Sequence, residues 1–287
     1  MLNPKDSIAL TQALIRCPSV TPEEGGALRL LHGILQEAGF ESHIVRFSDS
    51  NTPDVDNLYA RIGIGAPCLM FAGHTDVVPV DGQAWTYPPF ELSEENGRLY
   101  GRGTADMKGF CAAAIATMIA AGERAKSGRP LAVPLHLALS YDEEIGCMGV
   151  RSLINLLEAA PHRPRFCIVG EPTSMQVATG HKGKIALRAT CIGREGHSAL
   201  APMALNALHL AADFVGVLRG VQARVAAEGM RDGDYDVPYT TLHVGKLAWA
   251  FPGPKVTEAL RQAQTVALAW LDRRFRVPQD AVSAVAS

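Results

Sequence analysis

Three apolar runs in this chain end on groups that ionise. "CLMFAGHTD" closes on His74 and Asp76, "LHLALSYDEE" on Asp142, Glu143 and Glu144, and "FCIVGEP" on Glu171. Short apolar runs bounded by turn residues predict buried strands. Here they alternate with helical segments such as "GFCAAAIATMIAAG" and "CMGVRSLINLLEAA". Strand–helix alternation predicts an α/β layered fold, a largely parallel mixed sheet with flanking helices. Ligand sites in such sheets gather beyond the carboxyl ends of the strands. The chain is thus constrained to place a histidine and several acids along one sheet edge.

The remaining elements follow from caps and periodicity. "NPKDSIALTQALIRC" predicts a helix capped by Asn3, with Pro4 in its first turn and Pro18 ending it. "TPEEGGALRLLHGILQEAGF" predicts a second, with Thr21 and Glu24 as a capping box, Pro22 at the first helical position and Gly39 closing it. "ESHIVRFS" and "NLYARIG" predict strands. These elements define a first domain over residues 1–174. From 175 to 250 the pattern changes to a smaller α+β unit: a strand pair about a Lys-Gly turn in "MQVATGHKGKIALRATCIG", a long helix in "MALNALHLAADFVGVLRGVQARVA", and a strand in "YTTLHVGKLA". Residues 251–287 read as an atypical tail with one helix, about 256–275.

Composition removes several classes. The net charge of −2 carries no basic stripe, so no nucleic-acid or anionic-membrane partner is expected. No uninterrupted apolar run reaches membrane-spanning length and no targeting segment is recognised, so the expected location is cytoplasmic. The six cysteines are scattered without a C-x-x-C pair, which argues for buried free thiols and against a zinc finger or disulfide framework. Any metal must be held mainly by oxygen and imidazole.

Each acid or histidine has two readings. His74 and Asp76, two apart in a strand, share a face; Asp76 either orients the imidazole for a metal, or the pair merely finishes the strand. Asp106, after the Gly-rich "GRGTADMKG", is either a metal bridge or a helix-start carboxylate favoured by the dipole. Asp142, Glu143 and Glu144 mean little on a solvated loop but require a cation at the lip of a buried sheet. Glu171 is a ligand or a turn residue before Pro172. Taken together, one histidine and several carboxylates suit zinc, manganese or cobalt.

The ordered motifs "GHTDVVP", "YGRGTADMKG", "DEEIGCMG", "VGEPTSM" and "GREGHSALAPMALNAL" resemble the zinc-dependent amidohydrolases related to acetylornithine deacetylase and succinyl-diaminopimelate desuccinylase, over the chain to about Lys246. The resemblance implies that His74 ligates a first metal with Glu171, that Asp106 bridges two metals, and that Glu144 ligates the second. It makes Asp76 the carboxylate orienting His74, and Glu143 the general base. It makes His197 a lid histidine that steadies the oxyanion across a dimer, and Asn206 a substrate-contacting member of the same lid motif. It further implies one or two zinc ions per subunit, with cobalt as an alternative, a small N-acyl amino acid as substrate, and a homodimer formed through a lid and dimerisation domain. Within the family, "VDGQAWTYPPFELSEENGRLYGRG" and "EPTSMQVATGHKGKIALRA" resemble most the acetylornithine branch. That branch hydrolyses N2-acetyl-L-ornithine to L-ornithine and acetate in arginine biosynthesis; desuccinylase activity is the alternative.

The resemblance stops after "YTTLHVGKL". The family's second lid strand and the late histidine of its second metal site have no counterpart, and the last histidine is His243. The first metal set is therefore expected complete and the second short of one ligand. A non-catalytic remnant that binds one ion or dimerises is the reading of another class.

Overall fold

A computed structural model describes residues 2–49, 52–249 and 262–269. The chain divides into two compact units, Met1–Gln176 and Val177–Ser287.

The first unit is built on a five-stranded sheet. Its strands are β1 (Glu41–Asp49), β2 (Thr52–Ile62), β3 (Cys68–His74), β6 (Leu135–Ser140) and β7 (Pro164–Val169), in the order β1-β2-β6-β3-β7. β3 runs parallel to both β6 and β7, whereas β1–β2 and β2–β6 are antiparallel. The three parallel strands are those that end in His74, the acid triplet and Glu171, so all three ends reach one edge. β4 (Ser93–Glu95) and β5 (Arg98–Tyr100) form a separate small hairpin.

Helices cover both faces. α1 (Ser7–Ile15), α2 (Ala27–Glu37) and α3 (Gly109–Lys126) pack on one side, α4 (Val150–Ala159) on the other. The period of two along β6 decides which residue meets which layer. Leu137 and Leu139 join Leu10, Leu14, Leu28, Leu31, Ile115 and Met118 in the main core, while Ala138 faces Tyr59 and Leu153. Each fully buried leucine there contributes roughly 2–3 kcal/mol through the area it removes from water. The stretch Thr104–Lys126, α3 with the turn before it, is long and apolar enough to cross a membrane by composition alone, but most of its apolar window is buried inside this unit.

Both N-terminal helices begin later than their sequence caps predict. α1 is capped by Asp6, whose Oδ1 accepts the Ile8 and Ala9 amides at 2.9 and 3.2 Å, while Asn3 turns the preceding residues by accepting the Lys5 amide. α2 cannot start at Pro22 because Gly25 and Gly26 have φ of +63° and +87°, outside the helical region. The Glu24 carboxylate accepts the Gly26 and Leu28 amides, leaving Thr21 for another partner.

In the second unit β8 (Ile185–Ile192), β9 (Leu242–Trp249) and β10 (Gln262–Ala269) form an antiparallel sheet in the order β8-β10-β9, with α5 (Ala207–Glu228) packed against it. Two expectations are corrected. Residues 176–184 contribute no strand, so the strand pair reduces to β8. The helix expected over 256–275 gives way at 262–269 to β10, whose backbone fills the place between β8 and β9; the rest of that stretch lies outside the described residues.

Candidate metal centre

His74 is the last residue of β3 and is 1% exposed, which makes it the floor of the site. Its Nδ1 lies 3.0 Å from the Asp76 carbonyl oxygen and 3.4 Å from the Asp76 carboxylate. The orienting bond therefore falls first on the backbone of Asp76, with its carboxylate close behind. The other nitrogen, Nε2, faces Asp106 Oδ1 at 3.1 Å, Glu143 Oε2 at 3.8 Å and Glu171 Oε1 at 3.9 Å. Ligand atoms of His74, Asp106 and Glu171 all lie within 4.8 Å of one another.

Small residues make this approach possible. A Cβ on Gly73 would meet Met107 and Cys111 at 2.9 and 3.2 Å, so glycine lets β3 lie against the start of α3. Cys111 donates its thiol to the His74 carbonyl at 3.4 Å. Asp106 is not in the first turn of α3. It sits in the tight turn Thr104–Lys108 with extended φ and ψ of −124° and 94°, just ahead of the helix. Lys108 dives under that turn and donates to the Leu14 and Cys17 carbonyls, at 3.0 and 2.8 Å, at the end of α1.

The acid triplet divides its work. Asp142 is fully buried, turns with φ of +59°, and accepts the Thr21 hydroxyl at 2.7 Å. Glu143 faces His74. The Glu144 amide donates to Asp76 Oδ2 at 3.1 Å, which ties the triplet to the end of β3. The Glu144 side chain lies outside the group of three ligands.

The electrostatics fit a cation. The ion-pair partner that the described residues give Asp106, Glu143 and Glu171 is His74. Burial would lower the pKa of His74, yet the Asp76, Glu143 and Glu171 carboxylates outweigh it and raise the imidazole to about 9. Glu171 and Glu144 are pushed upward, first by burial and then by the neighbouring acids. Three buried side-chain oxygens, Thr75 Oγ1, Asp76 Oδ1 and Asp142 Oδ2, have no hydrogen-bond partner among the described residues. Crowded carboxylates around an imidazole that has a fixed second nitrogen make a candidate site for a divalent cation.

The two remaining residues expected in the site belong to the second unit, and both cap helices there. His197 Nδ1 accepts the Ala199 amide at 3.1 Å ahead of the short turn Ser198–Met203, with the ring exposed. Asn206 Oδ1 accepts the Leu208 amide at 2.8 Å at the start of α5. Sequence reasoning gave no part in the site to Thr21, Lys108 and Asn57, whose side chains brace the loops that carry the acids. Nothing in the sequence singles out Asn57, which follows Asp56 at the start of "NLYA".

A mixed sheet that collects one imidazole and several acids at its carboxyl edge is a candidate divalent-metal centre. The chain belongs to peptidase family M20/M25/M40, whose model matches residues 70–276. That match runs past Lys246, where the recognised motifs end, and through β10. The chain is 40% identical to a succinyl-diaminopimelate desuccinylase of Parvibaculum lavamentivorans, over 98% of this chain and 72% of that protein. It is 42% identical to the protein of the same name in Rhodospirillum centenum, over 74% of this chain and 56% of that one. The chain thus spans between about half and three quarters of such relatives. Among solved structures, an M20 metallo-carboxypeptidase from Sulfolobus solfataricus superposes with a TM-score of 0.68 at 19% identity, covering 98% of this chain and 74% of that one. Human carnosine dipeptidase 1 gives 0.67 at 16% identity, covering 99% and 76%.

Proposed function

We propose that this chain carries the metal-binding unit of an N-acyl amino acid amidohydrolase, with an N-succinyl diamino acid as substrate. The observation that carries the hydrolase reading is the convergence of His74, Asp106 and Glu171 with Glu143 beside them. The succinyl group is favoured by relatives near 40% identity that bear the desuccinylase name. It displaces the acetylornithine substrate, and with it the place in arginine biosynthesis, that the loop motifs suggested.

His74, Asp106 and Glu171 would hold one zinc or cobalt ion, and Asp106 with Glu144 would begin a second position. A relative in fold from Bacillus subtilis is described as a dinuclear metal-binding peptidase. Such an ion would supply Lewis-acid chemistry to the scissile carbonyl and to water. Glu143, partly open to solvent, takes a proton from the attacking water and returns it to the leaving amine as the C–N bond breaks. Asp76 fixes the ring of His74 so that Nε2 stays turned to the carboxylates. By the family resemblance, His197 would steady the oxyanion in a neighbouring subunit and Asn206 would contact substrate, in a homodimer joined through the second unit.

The test is turnover by the purified chain, with zinc or cobalt, of N-succinyl-L,L-diaminopimelate and N2-acetyl-L-ornithine side by side. Succinate released faster than acetate is the expected result. Faster acetate release would restore the acetylornithine reading. A chain that retains one ion and releases neither acid would be the non-catalytic remnant.

A further inference from the structure

The loop that carries Glu143 and Glu144 runs from Tyr141 at the end of β6 to Gly149 at the start of α4. Its interior passes through positive φ at Asp142 (+59°), Gly146 (+109°) and Cys147 (+56°). It is closed on itself by the Gly146 and Cys147 amides donating to the Glu143 carbonyl, at 2.9 and 3.0 Å, and the Met148 amide to that of Asp142 at 3.1 Å. The two ends meet. A Cβ on Gly149 would fall inside the radius of the Tyr141 carbonyl oxygen, so only glycine fits that neck.

Asn57 sits at the neck. It is fully buried on β2, one position before the last β2–β6 ladder pair, Leu58 with Leu139. Its Oδ1 accepts the Tyr141 amide at 3.1 Å, supplying a sheet-like bond where the ladder has ended. Its Nδ2 donates to the Gly149 carbonyl at 2.9 Å, and also meets Ser152 Oγ at 2.9 Å and the Val45 carbonyl at 3.1 Å. One side chain thus grips both ends of the loop, the first turn of α4 and strand β1. The job needs an acceptor and donors on one short side chain, which an amide has and an apolar or carboxylate residue lacks. A buried polar group that satisfies all its bonds in this way rigidifies what it touches.

We infer that Asn57 is a positioning residue that holds the acidic loop so that Glu143 stays beside His74. The inference rests on the hydrolase reading for its catalytic consequence only; the grip itself is geometric.

Cys147 offers a readout inside the loop. Its thiol is exposed in part and lies 3.5 Å from Glu143 Oε1; burial and that carboxylate push it up to about 11. Cys68 and Cys111 are buried elsewhere in the unit and report on the fold as a whole. The experiment is residue-resolved alkylation by iodoacetamide at pH 8 of the full chain and of its Asn57→Asp and Asn57→Ser variants, with cobalt content and succinate release measured alongside. Release of the loop should speed Cys147 about tenfold as its thiolate fraction recovers, with Cys68 and Cys111 unchanged and cobalt still bound. It should lower kcat about 10²-fold with KM within about threefold, the usual result of misplacing a reacting group by an ångström. Unchanged Cys147 reactivity overturns the inference, as does a faster Cys147 with unaltered kcat. Opening of Cys68 and Cys111 together with Cys147 in both variants also overturns it, because Asn57 then supports the fold rather than the loop. A parent chain that releases no acid from any substrate fails the hydrolase reading alone, and the Cys147 rates still decide the grip.

Discussion

His74 Nε2 lies 3.1 Å from Asp106 Oδ1, although the two side chains come from a strand end and from a turn before a helix. Glu144, from the neighbouring acidic loop, stays outside that group. The two proposed ion positions should therefore separate by mutation. Glu144→Gln should keep one tightly held ion per chain after dialysis. His74→Ala, which removes the only imidazole of the group, should keep none. Metal analysis by plasma emission checks both, and an ion retained in His74→Ala would show that the first position is wrongly drawn.

Asp76 touches no ion position directly but holds His74 and receives the Glu144 amide. Asp76→Asn keeps the backbone carbonyl at His74 Nδ1 and loses only the carboxylate charge at 3.4 Å, so it should leave the ligand count intact and weaken metal affinity about tenfold, the low end of the cost of disturbing such an orienting partner. Competition with a chromophoric chelator measures it.

Gly103 opens the turn that carries Asp106, with φ of +86°, and a Cβ added there would lie only 2.7 Å from Val77 Cγ1. Gly103→Ala should lower stability by roughly 1–3 kcal/mol, the sum of an unfavourable left-handed backbone and crowding. The urea midpoint should fall with the slope unchanged; a midpoint within error of the parent would contradict the strain.

His136 is buried on β6 with Nδ1 3.0 Å from the Tyr59 hydroxyl, and burial, then the charges of Arg61 and His162, hold its pKa below the ordinary imidazole value. Folding therefore favours the neutral ring. Below about pH 6.5 the unfolded chain takes up a proton that the native chain refuses, so stability falls as acid is added and is fully present above that pH. His136→Gln should flatten this part of the profile. Urea midpoints at pH 5 and 7.5 for both chains give the comparison.

Much of this was legible in the sequence because local chemistry and burial agree there. The apolar runs before His74, Asp142 and Glu171 became parallel strands, and that shared direction brought their ends to one edge. The misreadings arise where local signals meet tertiary demands. Thr21 has the spacing of a cap, but Gly25 and Gly26 forbid a helix so early, and its hydroxyl goes to Asp142 instead. Asp106 has the sequence position of a helix-start acid, yet the turn before α3 leaves it extended. β10 reads as helical by its alanines and glutamines, and becomes a strand because β8 and β9 flank it on both sides. Asn57 could not be foreseen, because its value depends on two loop ends that only the finished sheet brings together.

The edge order β6-β3-β7 has a kinetic side. His74 and Glu171 are separated by about 100 residues of chain, and β7 joins β3 only after β6 and α4 have been made and folded back, a slow kind of closure. An ion that needs both residues binds the completed sheet and little before it. Metal uptake during refolding would then report the final docking of β7, arriving after the helices and the β1–β2 hairpin have formed.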